Sequence, residues 1–148
     1  MDQSDFHLPH FLPYLLNQAA EAASHEFQTY YRTRYGMLRT EWRVLFHLGC
    51  YGDMSAKRVC DLASIHKTKV SRAVAALDQK RFVTRTETEA DRRVERLSLT
   101  PKGQQVFDDL SRAAHRFETA LLEGLPRDEV RHLRAALLKL SGLDQRGP

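Results

Sequence analysis

Cysteine is scarce in this chain: two residues, Cys50 and Cys60, among 148. Neither has a C-x-x-C partner and no cluster shows zinc-ligand spacing, so neither a disulfide framework nor a zinc module is expected. Both fall in predicted helices and read as small buried thiols; a redox role would need an exposed, low-pKa thiolate, which spacing does not decide. Long apolar runs are missing too. None approaches the ~20 residues that span a bilayer, and the opening M-D-Q-S-D is acidic where a secretory signal is basic. No membrane partner is expected, and cytoplasmic placement is the default. The sequence also lacks G-x-S-x-G, a phosphate-binding glycine loop and H-E-x-x-H, so an enzyme is not expected. Seven histidines are scattered at 7, 10, 25, 47, 66, 115 and 132. Only His7 and His10 are close neighbours, which leaves metal and other cofactors without a predicted site.

What is present describes an ordinary globular chain, 42% hydrophobic and 28% charged, of a length that fits one domain or a small module with helical extensions. The formal net charge is only +4, but it is concentrated. Residues 66–96 hold nine Lys or Arg (Lys67, Lys69, Arg72, Lys80, Arg81, Arg85, Arg92, Arg93, Arg96) against five acids, leaving fourteen of each sign elsewhere. A local positive field of this kind suits phosphate neutralisation.

Apolar residues at steps of three and four predict six helices. The first begins near Pro9 and Pro13, carries Phe11, Leu15, Ala19, Ala22, Ala23, Phe27 and Tyr30 on one stripe, and ends at Gly36. Thr40 is the expected cap of the second, with Glu41 in its first turn and Trp42, Leu45, Phe46 and Gly49 facing inward. Ser55 caps a short third helix with Val59, Leu62 and Ala63 inside. After a break at Ser64-Ile65, a fourth helix over 66–80 buries Val70, Val74 and Leu77 and leaves Lys67, Thr68, Ser71 and Arg72 outward. Phe82–Thr86 and Val94–Leu99 then read as two strands around a charged tip. Thr100-Pro101 starts a fifth helix through Val106, Leu110, Ala113, Phe117 and Leu121. A sixth carries Val130, Leu133, Leu137 and Leu140.

The predicted class is mainly α with a small β-hairpin wing: a winged helix-turn-helix module over 37–100, flanked by helices over 8–36 and 101–143. Such a module places a polar-tipped recognition helix in the major groove of double-stranded DNA and a wing, here 87–95, beside it. The flanking helices are too long and apolar to stand alone in water. A second copy is the simplest partner, and a homodimer would set two recognition helices about one DNA turn (~34 Å) apart on a palindromic site.

Three motifs carry a resemblance. Thr40-Glu41-Trp42-Arg43-Val44-Leu45 opens the second helix, Val70-Ser71-Arg72 with Leu77 marks the fourth, and Asp91-Arg92-Arg93 precedes Leu97-Ser98-Leu99-Thr100-Pro101-Lys102-Gly103. In this order they resemble the MarR family of bacterial transcription regulators, over roughly residues 10–142. The resemblance implies a homodimeric repressor, less often an activator, whose DNA binding is weakened by a small ligand held between the helical region and the DNA module. It also implies that Asp91 orients Arg93, and that Arg93 or Arg92 enters the minor groove, where a narrow groove concentrates negative potential. Two positions depart from the family pattern: Ser64 and Arg81 stand where glycine is common. The expected DNA contacts are His66, Lys67, Thr68, Lys69, Ser71, Arg72, Arg81, Asp91, Arg92 and Arg93. Arg72 has two readings, guanine and phosphate, and His66 is a helix cap or a phosphate contact. For the effector, residue type suggests a half-aromatic pocket from His10, Phe11, Tyr14, Asn17, Gln18, Trp42, Arg43, Phe46 and His47, with His7, His10 and Arg43 receiving the carboxylate of an aromatic acid. The alternative is a helical protein-interaction module of winged-helix shape that does not bind DNA.

Overall fold

A computed structural model describes residues 5–88 and 94–145. The expected tip residues Asp91, Arg92 and Arg93 lie outside the described residues. A short 3-10 turn, Leu8–His10, leads into α1 (Leu12–Tyr35), α2 (Arg39–Tyr51), β1 (Met54–Ser55), α3 (Ala56–Ala63), α4 (Lys67–Gln79), β2 (Val83–Glu87), β3 (Glu95–Leu99), α5 (Pro101–Leu122) and α6 (Arg127–Ser141). The strands form an antiparallel sheet in the order β1-β3-β2. The hairpin register pairs Val83 with Leu99 and Arg85 with Leu97, and Leu97 also faces Met54. The two-residue strand β1 was not foreseen: it is too short to show alternation, and pairing with β3 alone defines it.

The core lies beneath α4. Val70, Ala73, Val74 and Leu77 bury its inner face mainly against α2 and α3, in one core cluster that also holds Val44, Leu45 and Leu48 of α2, Val59 of α3, Leu97 of β3 and the α5 residues Val106 and Leu110. Each valine or leucine among them contributes about 1.5–3 kcal/mol when fully buried. The first half of α5 therefore belongs to the same core as the helix-turn-helix. By contrast, α1 buries only Tyr31 fully and α6 buries nothing.

Most predicted caps are present. Ser55 Oγ accepts from Arg58 N at 3.1 Å, Thr100 Oγ1 from Gly103 N at 2.9 Å, and Gly36 ends α1 at φ 63°. The second helix is a correction. It begins at Arg39 after Leu38, not after Thr40, and Glu41 at its third position reaches back so that its Oε2 accepts from Leu38 N at 2.9 Å. A leucine cannot cap with its own side chain, and the glutamate supplies the missing acceptor. The thiols need correction as well: Cys50 is exposed and Cys60 half-buried, because Cys50 falls on the outer side of the last turn of α2.

Two non-glycine residues are left-handed, Ser64 at φ 53° and Arg81 at φ 63°. They are the two positions at which the chain departs from the glycines common in the family. A side chain there costs roughly 1–2 kcal/mol in the folded state, while glycine loosens the unfolded chain by about half as much. Arg81→Gly is therefore expected to stabilise the protein by about 0.5–1 kcal/mol. A lower melting midpoint by circular dichroism would mean that the arginine side chain offsets its own strain.

Candidate nucleic-acid interface

His66 is the N-cap of α4, and its Nδ1 accepts from Thr68 N at 3.3 Å. Lys67, Thr68, Lys69, Ser71 and Arg72 are all exposed on the first two turns of α4, directly over the buried Val70 and Val74. Among the described residues, no carboxylate lies within salt-bridge distance of Lys67, Lys69, Arg72 or Arg81. Among the described residues they thus lack an acidic partner, unlike Arg85, which sits 3.6 Å from Asp78, and Arg96, 3.7 Å from Asp53.

Lys57 and Arg58, on the first turn of α3, are also exposed and without an ion-pair partner among the described residues. They extend the positive surface, since the first helix of such a motif crosses the phosphate backbone. Sequence reasoning passed over them, although their place directly after the Ser55 cap was a usable signal.

The end of α4 is joined tightly to the wing. Phe82 N donates to Leu77 O at 2.9 Å, Thr100 N donates to Phe82 O at 3.0 Å, and the Thr100 hydroxyl donates to Arg81 O at 2.6 Å. Lys80 Nζ lies 2.7 Å from Glu41 Oε1, tying the end of α4 to the start of α2.

The nine expected effector residues fall in three places rather than one. Phe11, Tyr14, Asn17 and Gln18 are exposed at the start of α1, with the His10 ring tilted against that of His7, 4.6 Å between centroids. Trp42 and Phe46 face an aromatic layer with Phe27, Tyr31 and Phe107, at centroid distances of 5.1–6.4 Å. Tyr14 precedes Phe27 by thirteen residues, about 20 Å along the helix, which separates the two groups within one chain. Arg43 follows Trp42 and so points about 100° away around α2. Its Nη2 donates to Ala63 O, and with His47, Tyr51, Ser64 and Ser141 it lines a cleft of about 460 Å³. Burial, and then the neighbouring Arg39 charge, lower the Arg43 pKa. The indole Nε1–H of Trp42 is buried with no hydrogen-bond partner among the described residues. No described helix is long and apolar enough to cross a membrane.

A basic-faced helix seated on a shared core, preceded by a short crossing helix and rooted to a small antiparallel sheet, is a winged helix-turn-helix DNA-binding module. The family model described as MarR family matches residues 35–94. The chain is 31% identical to the MarR family transcriptional regulator SPO1453 of Silicibacter pomeroyi DSS-3, over 90% of this chain and 99% of that one, at a TM-score of 0.73. It is 25% identical over 126 residues to the HTH-type transcriptional regulator YwaE of Bacillus subtilis (strain 168), covering 85% of this chain and 74% of that protein. In fold it also matches Bordetella bronchiseptica BpsR, whose DNA binding is regulated by 6-hydroxynicotinic acid, at a TM-score of 0.84 and 22% identity over 93% of this chain and 98% of that one. This chain belongs to the MarR family of transcriptional regulators.

Proposed function

We propose that the protein is a ligand-responsive homodimeric repressor that reads a palindromic operator. The recognition helix enters the major groove with Lys67, Thr68, Lys69, Ser71 and Arg72, capped by His66. The wing, 87–95, carries Arg92 and Arg93 to the minor groove, with Asp91 orienting Arg93, and Arg81 holds a phosphate at the wing root. The observation that carries this reading is the charge of Lys67, Lys69 and Arg72 on one exposed face, with no carboxylate in ion-pair reach among the described residues. Charges left without carboxylate partners are free to replace the counterions of a phosphate backbone.

The dimeric reading is supported by the apolar surface outside the reader. Phe11, Leu12 and Leu15 of α1 and its lead-in are 46–50% exposed, and Leu133, Leu137 and Leu140 of α6 are 39–64% exposed. Faces of this size on long helices call for a partner, and the segments 8–36 and 101–143 would supply it as the dimerisation region around the reader at 37–100. A ligand response is supported by the unpartnered Trp42 Nε1–H, since a buried donor left unsatisfied costs about 1–3 kcal/mol. The carboxylate or ring oxygen of an aromatic acid would satisfy it, in keeping with the regulation of BpsR by 6-hydroxynicotinic acid.

The test is fluorescence anisotropy with the DNA upstream of the protein's own gene and scrambled DNA of equal length, at two salt concentrations, for wild type and the double variant Arg92→Ala, Arg93→Ala. Wild type is expected to prefer the upstream DNA. The variant is expected to lose about tenfold or more in affinity and to shallow the log–log salt slope by roughly two to four units, at about 0.9 per lost phosphate contact. Titrating 6-hydroxynicotinic acid into the same assay reads the effector response. No binding to either DNA at low salt would favour the interaction-module reading instead.

A further inference from the structure

Asp109, on the third turn of α5, gathers three donors that no DNA contact uses. The Tyr35 hydroxyl donates to its Oδ2 at 2.5 Å, the Tyr30 hydroxyl lies 3.1 Å from both oxygens, and Arg34 Nε, which donates to the Tyr35 hydroxyl oxygen at 3.4 Å, pairs with Oδ2 at 3.2 Å. All three donors come from the last two turns of α1. Burial works against the Asp109 charge, but the Tyr35 and Tyr30 hydrogen bonds and the Arg34 and Arg112 charges outweigh it and hold the carboxyl below its ordinary range. The cluster is thus an ionised bolt between α1 and α5, with charge-assisted bonds that fix direction as well as distance.

The bolt closes a triangle. The Tyr35 ring meets Phe82 edge-on, 6.2 Å between centroids at 87°. Phe82 is the joint where α4 ends, β2 begins and α5 starts, through its bonds to Leu77 and Thr100. From that joint α5 runs back to Asp109. Without the bolt, α1 would hold α5 chiefly through apolar packing, such as Phe27 and Tyr30 on Phe117 at 5.9–6.0 Å, which is non-directional and permits sliding.

We infer that Asp109 is a positioning residue for DNA selectivity: acting through Tyr35 and Phe82, it sets the pitch of the recognition helix against the helical scaffold and so the half-site spacing that the protein accepts. The inference rests on the dimeric reading above. The lever is long enough. The basic tip of α4 lies about 20 Å from the Phe82 joint, so a tilt of about 5° displaces it by about 1.7 Å. Two subunits tilting oppositely change the separation by about 3.4 Å, one base-pair step.

The test uses full-length protein and duplexes carrying the inverted half-sites that wild type recovers from a random DNA pool. Spacing is set at the selected value and at one base pair more and fewer, and a lone half-site duplex is included. Wild type is expected to favour one spacing by about tenfold or more. Asp109→Asn and Tyr35→Phe are expected to flatten that ratio below about threefold while lone half-site affinity stays within about twofold. Tyr35→Phe keeps the ring against Phe82, so it decides the matter if Asp109→Asn does not fold. A wild-type ratio in folded Tyr35→Phe overturns the inference, and so does an equal loss on every duplex, which would mark a purely structural role. Absence of any spacing preference in wild type overturns the palindromic reading itself, and the inference with it.

Discussion

Gly103→Ala is expected to lower the midpoint of thermal unfolding by roughly 4–8 °C, although alanine is the better helix former. The favourable part is about 1 kcal/mol of intrinsic propensity. The opposing part is steric. A Cβ at this position would lie 2.8 Å from the carbonyl carbon of Phe82, closer still to its oxygen, and 3.1 Å from its Cα. These are backbone atoms and cannot rotate aside as a side chain would. The carbonyl is also held in place by Thr100 N, and the chain before it by the Thr100 hydroxyl on Arg81 O. The first turn of α5 must therefore lift from the wing root, disturbing Val106, which is 4% exposed in the core. Overpacking against a fixed neighbour costs about 3 kcal/mol, the top of the usual range, which leaves about 2 kcal/mol net, and about 2–4 °C accompanies each kcal/mol in a protein of this size. A melt by circular dichroism checks the sum. A midpoint equal to or above that of wild type would show that α5 can shift freely from the wing, and would loosen the joint on which the placement of α4 depends.

That joint shows where sequence reasoning reaches and where it stops. The buried face of α4, the Ser55 and Thr100 caps and the terminal Gly36 follow from periodicity and local chemistry, and the structure has them. Ser64 and Arg81 were legible by a different route: each stands where glycine is common in the family, and each adopts the left-handed backbone that explains the glycine. The failures are of another kind. Thr40 looked like a cap because threonine before an apolar-periodic run often is one, but Glu41 reaching back to Leu38 N starts the helix earlier. Trp42 and Arg43 entered one expected pocket on residue type alone, and residue type does not see that neighbours on a helix point to different faces. Strand β1 exists only through its partner β3. Asp109 went unnoticed because its three donors are seventy-four or more residues away in the chain. Local patterns predicted local structure, while the bonds that tie elements together needed the fold.

Glu41 tests such a tie most severely. Its side chain is 5% exposed, and its two oxygens do separate jobs: Oε2 accepts from Leu38 N and starts α2, while Oε1 takes Lys80 Nζ at 2.7 Å and anchors the end of the recognition helix. Glu41→Ala removes both partners at once. The loss of the cap costs about 1 kcal/mol, and breaking a buried pair costs about 3–5 kcal/mol when the remaining charge stays buried. Lys80 is 28% exposed and can turn its ammonium toward water, which places the pair term near the low end. The expected total is about 4 kcal/mol, a fall of roughly 8–16 °C in the melting midpoint. Glu41→Gln separates the two jobs, since its amide oxygen still accepts from Leu38 N while the charge opposite Lys80 is gone. It should lose most of that stability, because the pair is the larger of the two contributions. If the glutamine variant falls as far as alanine, the ion pair carries the effect. If it melts with wild type, the cap carries it, and Lys80 is as free as Lys67 and Lys69 to serve the DNA.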